Sequence, residues 1–149
     1  MSKYVLIKQF SKLQNNTFKK EKDLREFITQ YIREFTEDVL EDEYISHNEE
    51  CGITKNTSRF RSRRMDLVVY GQKATHIIEL KNPKYQSENR AAIGQLLCYA
   101  QDFIDPKKRL VLISTKFDIY TARAIENYKL PIRYIYFDIN HCYEYIGER

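Results

Sequence analysis

Asp66, the tripeptide Glu79-Leu80-Lys81 and the run Gly94-Gln95-Leu96-Leu97-Cys98-Tyr99 follow one another in types and spacing that suit metal-dependent hydrolysis of a phosphodiester. The two acids sit among apolar, β-branched neighbours, Leu67-Val68-Val69-Tyr70 and Thr75-His76-Ile77-Ile78, which read as two short strands. Between them Gly71-Gln72-Lys73-Ala74 closes an antiparallel hairpin, though without the Asn-Gly or Asp-Gly pair that marks such turns most strongly. With Gln72 and Lys73 as the loop, Gly71 pairs with Ala74 and the ladder carries Asp66 opposite Glu79 on the same face. Side chains alternate along a strand, so Glu79 and Lys81 share that face and Ile78 and Leu80 take the other. A three-residue turn would shift the register by one and break the alignment. Two ionised carboxylates about 5 Å apart repel unless a cation lies between them. An oxygen-rich site of this kind suits Mg²⁺ or Mn²⁺ and not zinc. The plainer reading makes Asp66 and Glu79 ordinary strand-end charges with Lys81 as their salt-bridge partner.

The elements that must position these residues are legible around them. Leu24, Phe27, Ile28, Tyr31, Ile32, Phe35 and Val39 recur at spacings of three and four, which predicts one amphipathic helix over 21–41. Glu21 and Asp23 open it. They complement the helix dipole, and Glu21 could equally deliver a further carboxylate to a metal. A short strand is predicted over 44–47. Then Lys55, Arg59, Arg61, Arg63 and Arg64 crowd in just ahead of Asp66, either as a solvated basic loop or as a clamp for phosphates. Asn82-Pro83 ends the second hairpin strand, because proline has no donor to continue a ladder.

Ser87 is the predicted cap of a helix over 88–104 with Ala92, Leu96, Ala100 and Phe103 on its buried face. Gln95 and Tyr99, four apart, share one face of that helix. Turned over the hairpin, Gln95 could orient a water or phosphate and Tyr99 could hydrogen-bond a catalytic group; taken alone they read as a surface amide and a half-buried aromatic. The apolar run 109–114 predicts a central strand covered on both sides. A helix over 118–128 and a strand over 133–137 follow. The expected fold is α/β, a mixed four- to five-stranded sheet flanked by helices, with the site at one end of the sheet.

The 149 residues fit a single domain over 1–149. With 42% hydrophobic and 31% charged residues, four Gly and three Pro, the composition is that of a folded globular chain. The net charge of +4 is compatible with a polyanionic partner. Cys51, Cys98 and Cys142 are isolated and lack CxxC spacing, which speaks against a disulfide framework or a zinc or iron–sulfur site and for a reducing compartment. The first ten residues hold too short an apolar run for a signal peptide, and no segment approaches a membrane span. A soluble, cytoplasmic protein with no membrane partner and no small-molecule cofactor is expected.

A carboxylate on one strand followed by (D/E)-x-K on the next resembles the PD-(D/E)xK nuclease superfamily, with its restriction-endonuclease-like core. Within it the chain is most similar to the RecB-like nuclease domain of archaeal and actinobacterial NucS/EndoMS enzymes. Glu21-Lys22-Asp23-Leu24 matches their E-x-x-L helix start, and Gly94-Gln95-Leu96-Leu97-Cys98-Tyr99 their G-Q-L-x-x-Y helix. The resemblance covers roughly 21–99 and implies a Mg²⁺- or Mn²⁺-dependent deoxyribonuclease, an endonuclease acting on DNA. It implies that Asp66, Glu79 and the main-chain carbonyl of Leu80 bind metal, that Glu21 supplements them, and that Lys81 assists the attacking water or the transition state. Arg64-Met65 stands where the family has Pro or Gly beside its first strand carboxylate, and the DNA-binding domain that precedes the nuclease in NucS-type proteins has no counterpart in these residues. One site per chain makes a homodimer or sequential nicking the route to cutting a duplex. The rival function is a non-catalytic nucleic-acid-binding module on the same fold.

Overall fold

Hydrophobic alternation and β-branched runs organise the chain around one sheet. The computed structural model describes residues 2–10, 18–52, 64–103, 105–138 and 140–148. Seven strands, β1 (Ser2–Gln9), β2 (Tyr44–Gly52), β3 (Arg64–Gly71), β4 (Thr75–Lys81), β5 (Lys108–Ser114), β6 (Ile132–Asp138) and β7 (His141–Glu148), pair in the order β1-β7-β6-β5-β4-β3-β2. The central β4, β5 and β6 run parallel and the remaining neighbours antiparallel. The sheet is thus mixed, as the sequence implies, but has seven strands and not four or five. The two extra strands are β1 and β7, which pair with each other at one edge. Asn140 in the turn before β7 fastens them: Phe10 N–H donates to its carbonyl and its amide donates back to Phe10 O, both at 2.8 Å.

Four helices among the described residues cover the sheet. Helices α1 (Glu21–Gln30) and α2 (Ile32–Asp38) lie on one face, where Leu24, Phe27, Ile28 and Phe35 pack on Leu67, Val69, Ile78 and Leu80. On the opposite face α3 (Arg90–Asp102) and α4 (Ile119–Asn127) set Ala92, Leu96, Ala122 and Ile125 against Val68, Ile77, Leu110 and Leu112. Burial of each such Leu or Ile contributes about 1.5–3 kcal/mol. Because β4 and β5 are covered on both sides, their apolar runs are continuous. Among the described residues no helix is long and apolar enough to cross a membrane.

The helix predicted over 21–41 is two helices. Tyr31, at φ −113°, interrupts the regular dihedrals, and its ring packs on Phe10 and Phe27 while the apolar stripe continues past it. The stretch predicted as a helix from 88 begins instead as a 3₁₀ turn, Gln86–Asn89, so Ser87 does not cap α3.

The hairpin turn explains its own unusual sequence. Asp42, ahead of β2, accepts N–H bonds from Lys73 at 2.9 Å and Ala74 at 3.1 Å, and a third contact of 2.9 Å from His76 Nε2. These bonds replace the local chemistry that Asn-Gly would supply. Gly71 is required by this approach: a β-carbon there would lie 2.1 Å from Asp42 Oδ2.

Candidate active site

The β3–β4 ladder runs Tyr70↔Thr75, Val69↔His76, Val68↔Ile77 and Leu67↔Ile78, the register a Gln72-Lys73 loop dictates. Beyond Leu67 the ladder stops. The Asp66 carboxylate takes over from a backbone carbonyl there, accepting the Leu80 N–H at 2.9 Å. The strand acids therefore meet where the two strands part.

Glu79, 3% exposed, follows Ile77 on the α3 face of the sheet by alternation. Its Oε2 lies 3.4 Å from Lys81 Nζ, and its Oε1 is buried with no hydrogen-bond partner. Burial, then the charge of Asp66, pushes the Glu79 carboxyl up to about 8; Lys81 opposes this without cancelling it. Glu21 joins from the first turn of α1. Burial, then the charge of Asp66 and a hydrogen bond to it, pushes Glu21 up to about 7, with Lys81 and Arg25 pulling the other way.

The two acids of the α1 start have divided their work. Asp23 caps the helix, accepting the Lys20 N–H at 2.9 Å. Glu21 faces Asp66.

Among the described residues, no three His, Cys, Asp or Glu side chains are gathered as a ready-made metal site. Glu21 and Glu79 instead each have the Asp66 carboxyl as a charged neighbour. The donor set is nevertheless of the oxygen type that a hard divalent cation takes: three carboxyl groups, two of them pushed up by burial and by the Asp66 charge, and one buried oxygen without a donor.

Of the other predicted residues, Gln95 projects from α3 with its amide oxygen buried and unpartnered. Tyr99, one turn on, is 4% exposed and belongs to the apolar core beneath α3. Leu80 is fully buried on the α1 face and supplies its N–H to Asp66. Arg59, Arg61 and Arg63 lie outside the described residues. Of Arg64 the backbone is described, pairing with Gly52 at the start of β3.

Asn82 and Thr115 hold the strand end beneath Lys81, and spacing along the chain gave no sign of it. Thr115 N–H donates to Lys81 O at 3.1 Å, its hydroxyl donates to Asn82 Oδ1 at 2.6 Å, and the Asn82 amide donates to Phe18 O at 2.9 Å. Asn82 thus does more than end β4; the signal available was its polar amide at the mouth of a parallel strand pair.

Compared with protein families and with curated proteins, the sequence matches none. Solved structures do match. A repair endonuclease from Pyrococcus abyssi superposes with a TM-score of 0.56 at 13% identity, over 85% of this chain and 50% of its own. SfsA from Pyrococcus furiosus in complex with Ca²⁺ gives a TM-score of 0.40 at 14% identity, over 85% of this chain and 61% of its own. The endonuclease likeness establishes a shared fold, a mixed α/β sheet with helices on both faces. The chain spans about half the length of that endonuclease.

Proposed function

We propose that this protein is a Mg²⁺- or Mn²⁺-dependent nuclease that hydrolyses phosphodiester bonds in DNA as an endonuclease. The observation that carries the reading is the meeting of Glu21, Asp66 and Glu79 beside Lys81, with two of the acids shifted up to about 7 and 8 and Glu79 Oε1 left without a donor. A scaffold gains nothing from such crowding, whereas a divalent cation relieves it. The fold shared with a repair endonuclease supports the reading.

In this reading Asp66, Glu79 and Glu21, with the Leu80 carbonyl, would hold the cation. A cation held there would supply Lewis acidity to the scissile phosphate and lower the pKa of the attacking water. Asp66 is kept in place by the Leu80 N–H, so its orientation is fixed before any ligand arrives. Lys81, anchored against Glu79, directs its ammonium at the charge that develops on the phosphate or at the nucleophile. Gln95 offers its amide oxygen to the water.

The test is cleavage of labelled single-stranded, duplex and branched DNA by wild type and Asp66→Ala in Mg²⁺, Mn²⁺ or EDTA. Cutting that needs the metal and disappears in the variant is expected. Binding on every substrate without cutting by the wild type would replace this reading with a non-catalytic binding module.

A further inference from the structure

Three acids meet at the candidate site, and the elements that carry them are not equally secured. Asp66 and Glu79 belong to neighbouring strands of one sheet, and Asp66 is bonded to the Leu80 N–H at 2.9 Å. Glu21 stands in the first turn of a helix whose buried face, Leu24, Phe27 and Ile28, begins three residues further on. Ionised together, the three carboxyls repel, and the load falls on the start of α1, since helix ends open more readily than paired central strands. A helix start under this load needs a fastening of its own.

Asn82 supplies one. It is the first residue past β4, as Thr115 is the first past β5. Its Nδ2 donates to Phe18 O at 2.9 Å, three residues ahead of Glu21, and its Oδ1 accepts the Thr115 hydroxyl at 2.6 Å. The Thr115 N–H donates to Lys81 O at 3.1 Å. One amide thus joins the segment entering α1 to the ends of the parallel pair β4 and β5. Chemistry fixes which way that amide faces: a main-chain carbonyl only accepts, so the nitrogen must face Phe18, and the oxygen is left for the Thr115 hydroxyl. The second bond keeps the first in place.

Phe18 is in turn a fixed point. Its ring meets Phe27 at 5.6 Å and Phe137 at 5.7 Å between centroids, edge on in both cases, and so rests on the core between α1 and β6. Only Lys19 and Lys20 separate Phe18 from Glu21, and the Lys20 N–H is bonded to Asp23 at 2.9 Å. Two residues of restrained backbone leave little play between the Asn82 bond and the Glu21 carboxyl. A residue that merely ended β4, a task Pro83 already performs, has no need of either bond.

We infer that Asn82 is a positioning residue, which ties the entry to α1 onto the end of β4 and so sets where Glu21 stands against Asp66 and Glu79. It acts through Glu21 and not on a reacting group. The placement stands on the geometry alone; its consequence for a bound cation rests on the nuclease reading, in which Glu21 supplements the strand acids.

Two measurements on the full chain test it. Hydrogen exchange in EDTA follows the amides of Lys20, Asp23 and Leu24, which close the first turn of α1. Asn82→Ala and Thr115→Val should speed their exchange about five- to tenfold while β4 and β5 keep wild-type rates, and Thr115→Ser, which retains the hydroxyl, should exchange as the wild type does. Mn²⁺ calorimetry then compares wild type, Asn82→Ala, Glu21→Gln and the double variant. Asn82→Ala should weaken Mn²⁺ binding about tenfold, as loss of a residue that orients a ligand does, and in the Glu21→Gln background should weaken it no further. A merely structural role raises exchange across the whole sheet or gives losses that add in the double variant, and either result overturns the inference. So does exchange at the α1 start that Asn82→Ala leaves unaltered, or Mn²⁺ affinity unaltered in a protein that binds the ion. Wild type that takes up no Mn²⁺, with exchange at the α1 start raised in the variants as stated, upholds the placement and defeats the nuclease reading. Wild type that binds Mn²⁺ and cuts DNA, with Asn82→Ala matching it in exchange and affinity, does the reverse.

Discussion

Asp42 and Glu79 lie at opposite ends of one hairpin, the first under its turn and the second where its strands part, and both are almost fully buried. Asp42 receives N–H bonds from Glu43, Lys73 and Ala74 and a contact from His76. Burial pushes its carboxyl up, but these bonds together outweigh it and hold the group below the usual carboxylate range. Glu79 has one lysine at 3.4 Å, a second carboxyl for a neighbour, an oxygen without a donor and a carboxyl pushed up to about 8. Burial is common to the two; supply of donors is the difference. A carboxylate that serves the fold is satisfied by the fold, and one that is left short has its partner elsewhere.

The contrast can be broken most forcefully by exchanging charge for amide at the short end. Glu79→Gln should lower cleavage by about a hundredfold or more while leaving thermal stability equal or higher; a gel assay beside a melting curve reads both. At the satisfied end the effects reverse. Asp42→Ala strands several donors and should cost about 3 kcal/mol in urea unfolding. The carboxyls of the proposed site are untouched by it, so on the nuclease reading protein that remains folded should still cleave.

The two ends also carry opposite pH dependences. Glu21 and Glu79 bind protons more tightly folded than unfolded, so in EDTA their contribution to stability is complete below their ordinary value of 4.5 and is lost as pH rises through about 7 and 8. His76 is shifted down, chiefly by burial, against the pull of Asp42. Its unfolded imidazole gains a proton near 6.5 where the folded one does not, so stability is lost as pH falls below that value. Asp42 adds a further loss only below its ordinary 3.8. Melting temperature against pH should therefore fall on both sides, with Glu79→Gln flattening the alkaline limb and His76→Gln the acid one. An alkaline limb unchanged in Glu79→Gln would contradict the shift assigned to that group. Gln95→Leu should have the smallest effect, about a tenfold loss of cleavage with stability within about 0.5 kcal/mol, because its buried oxygen has no partner in the fold to lose.

The meeting of Asp66 and Glu79 was legible because these acids are local. Register is fixed by a two-residue loop, and counting outward from Gly71 and Ala74 brings Asp66 to Glu79; only the replacement of the next ladder bond by the Asp66 carboxylate was hidden. Glu21 needed the motif, since nothing in a helix start tells which of two acids caps it and which points away. The break at Tyr31 left no mark, because apolar periodicity runs through it. Strands β1 and β7 do alternate, as in Tyr4, Leu6 and Lys8, but both ends of their pattern are weakened by exposed apolar residues such as Leu6 and Ile146. Phe18, Asn82 and Thr115 come from separate segments that only the packed fold brings together.

Titration of Mn²⁺ into the metal-free protein at pH 8, followed calorimetrically for wild type, Glu79→Gln and Asp42→Asn, bears most directly on the account. Saturable binding in the wild type that disappears in Glu79→Gln and persists in folded Asp42→Asn is the predicted result. No binding by the wild type, or binding that survives Glu79→Gln unchanged, would contradict it.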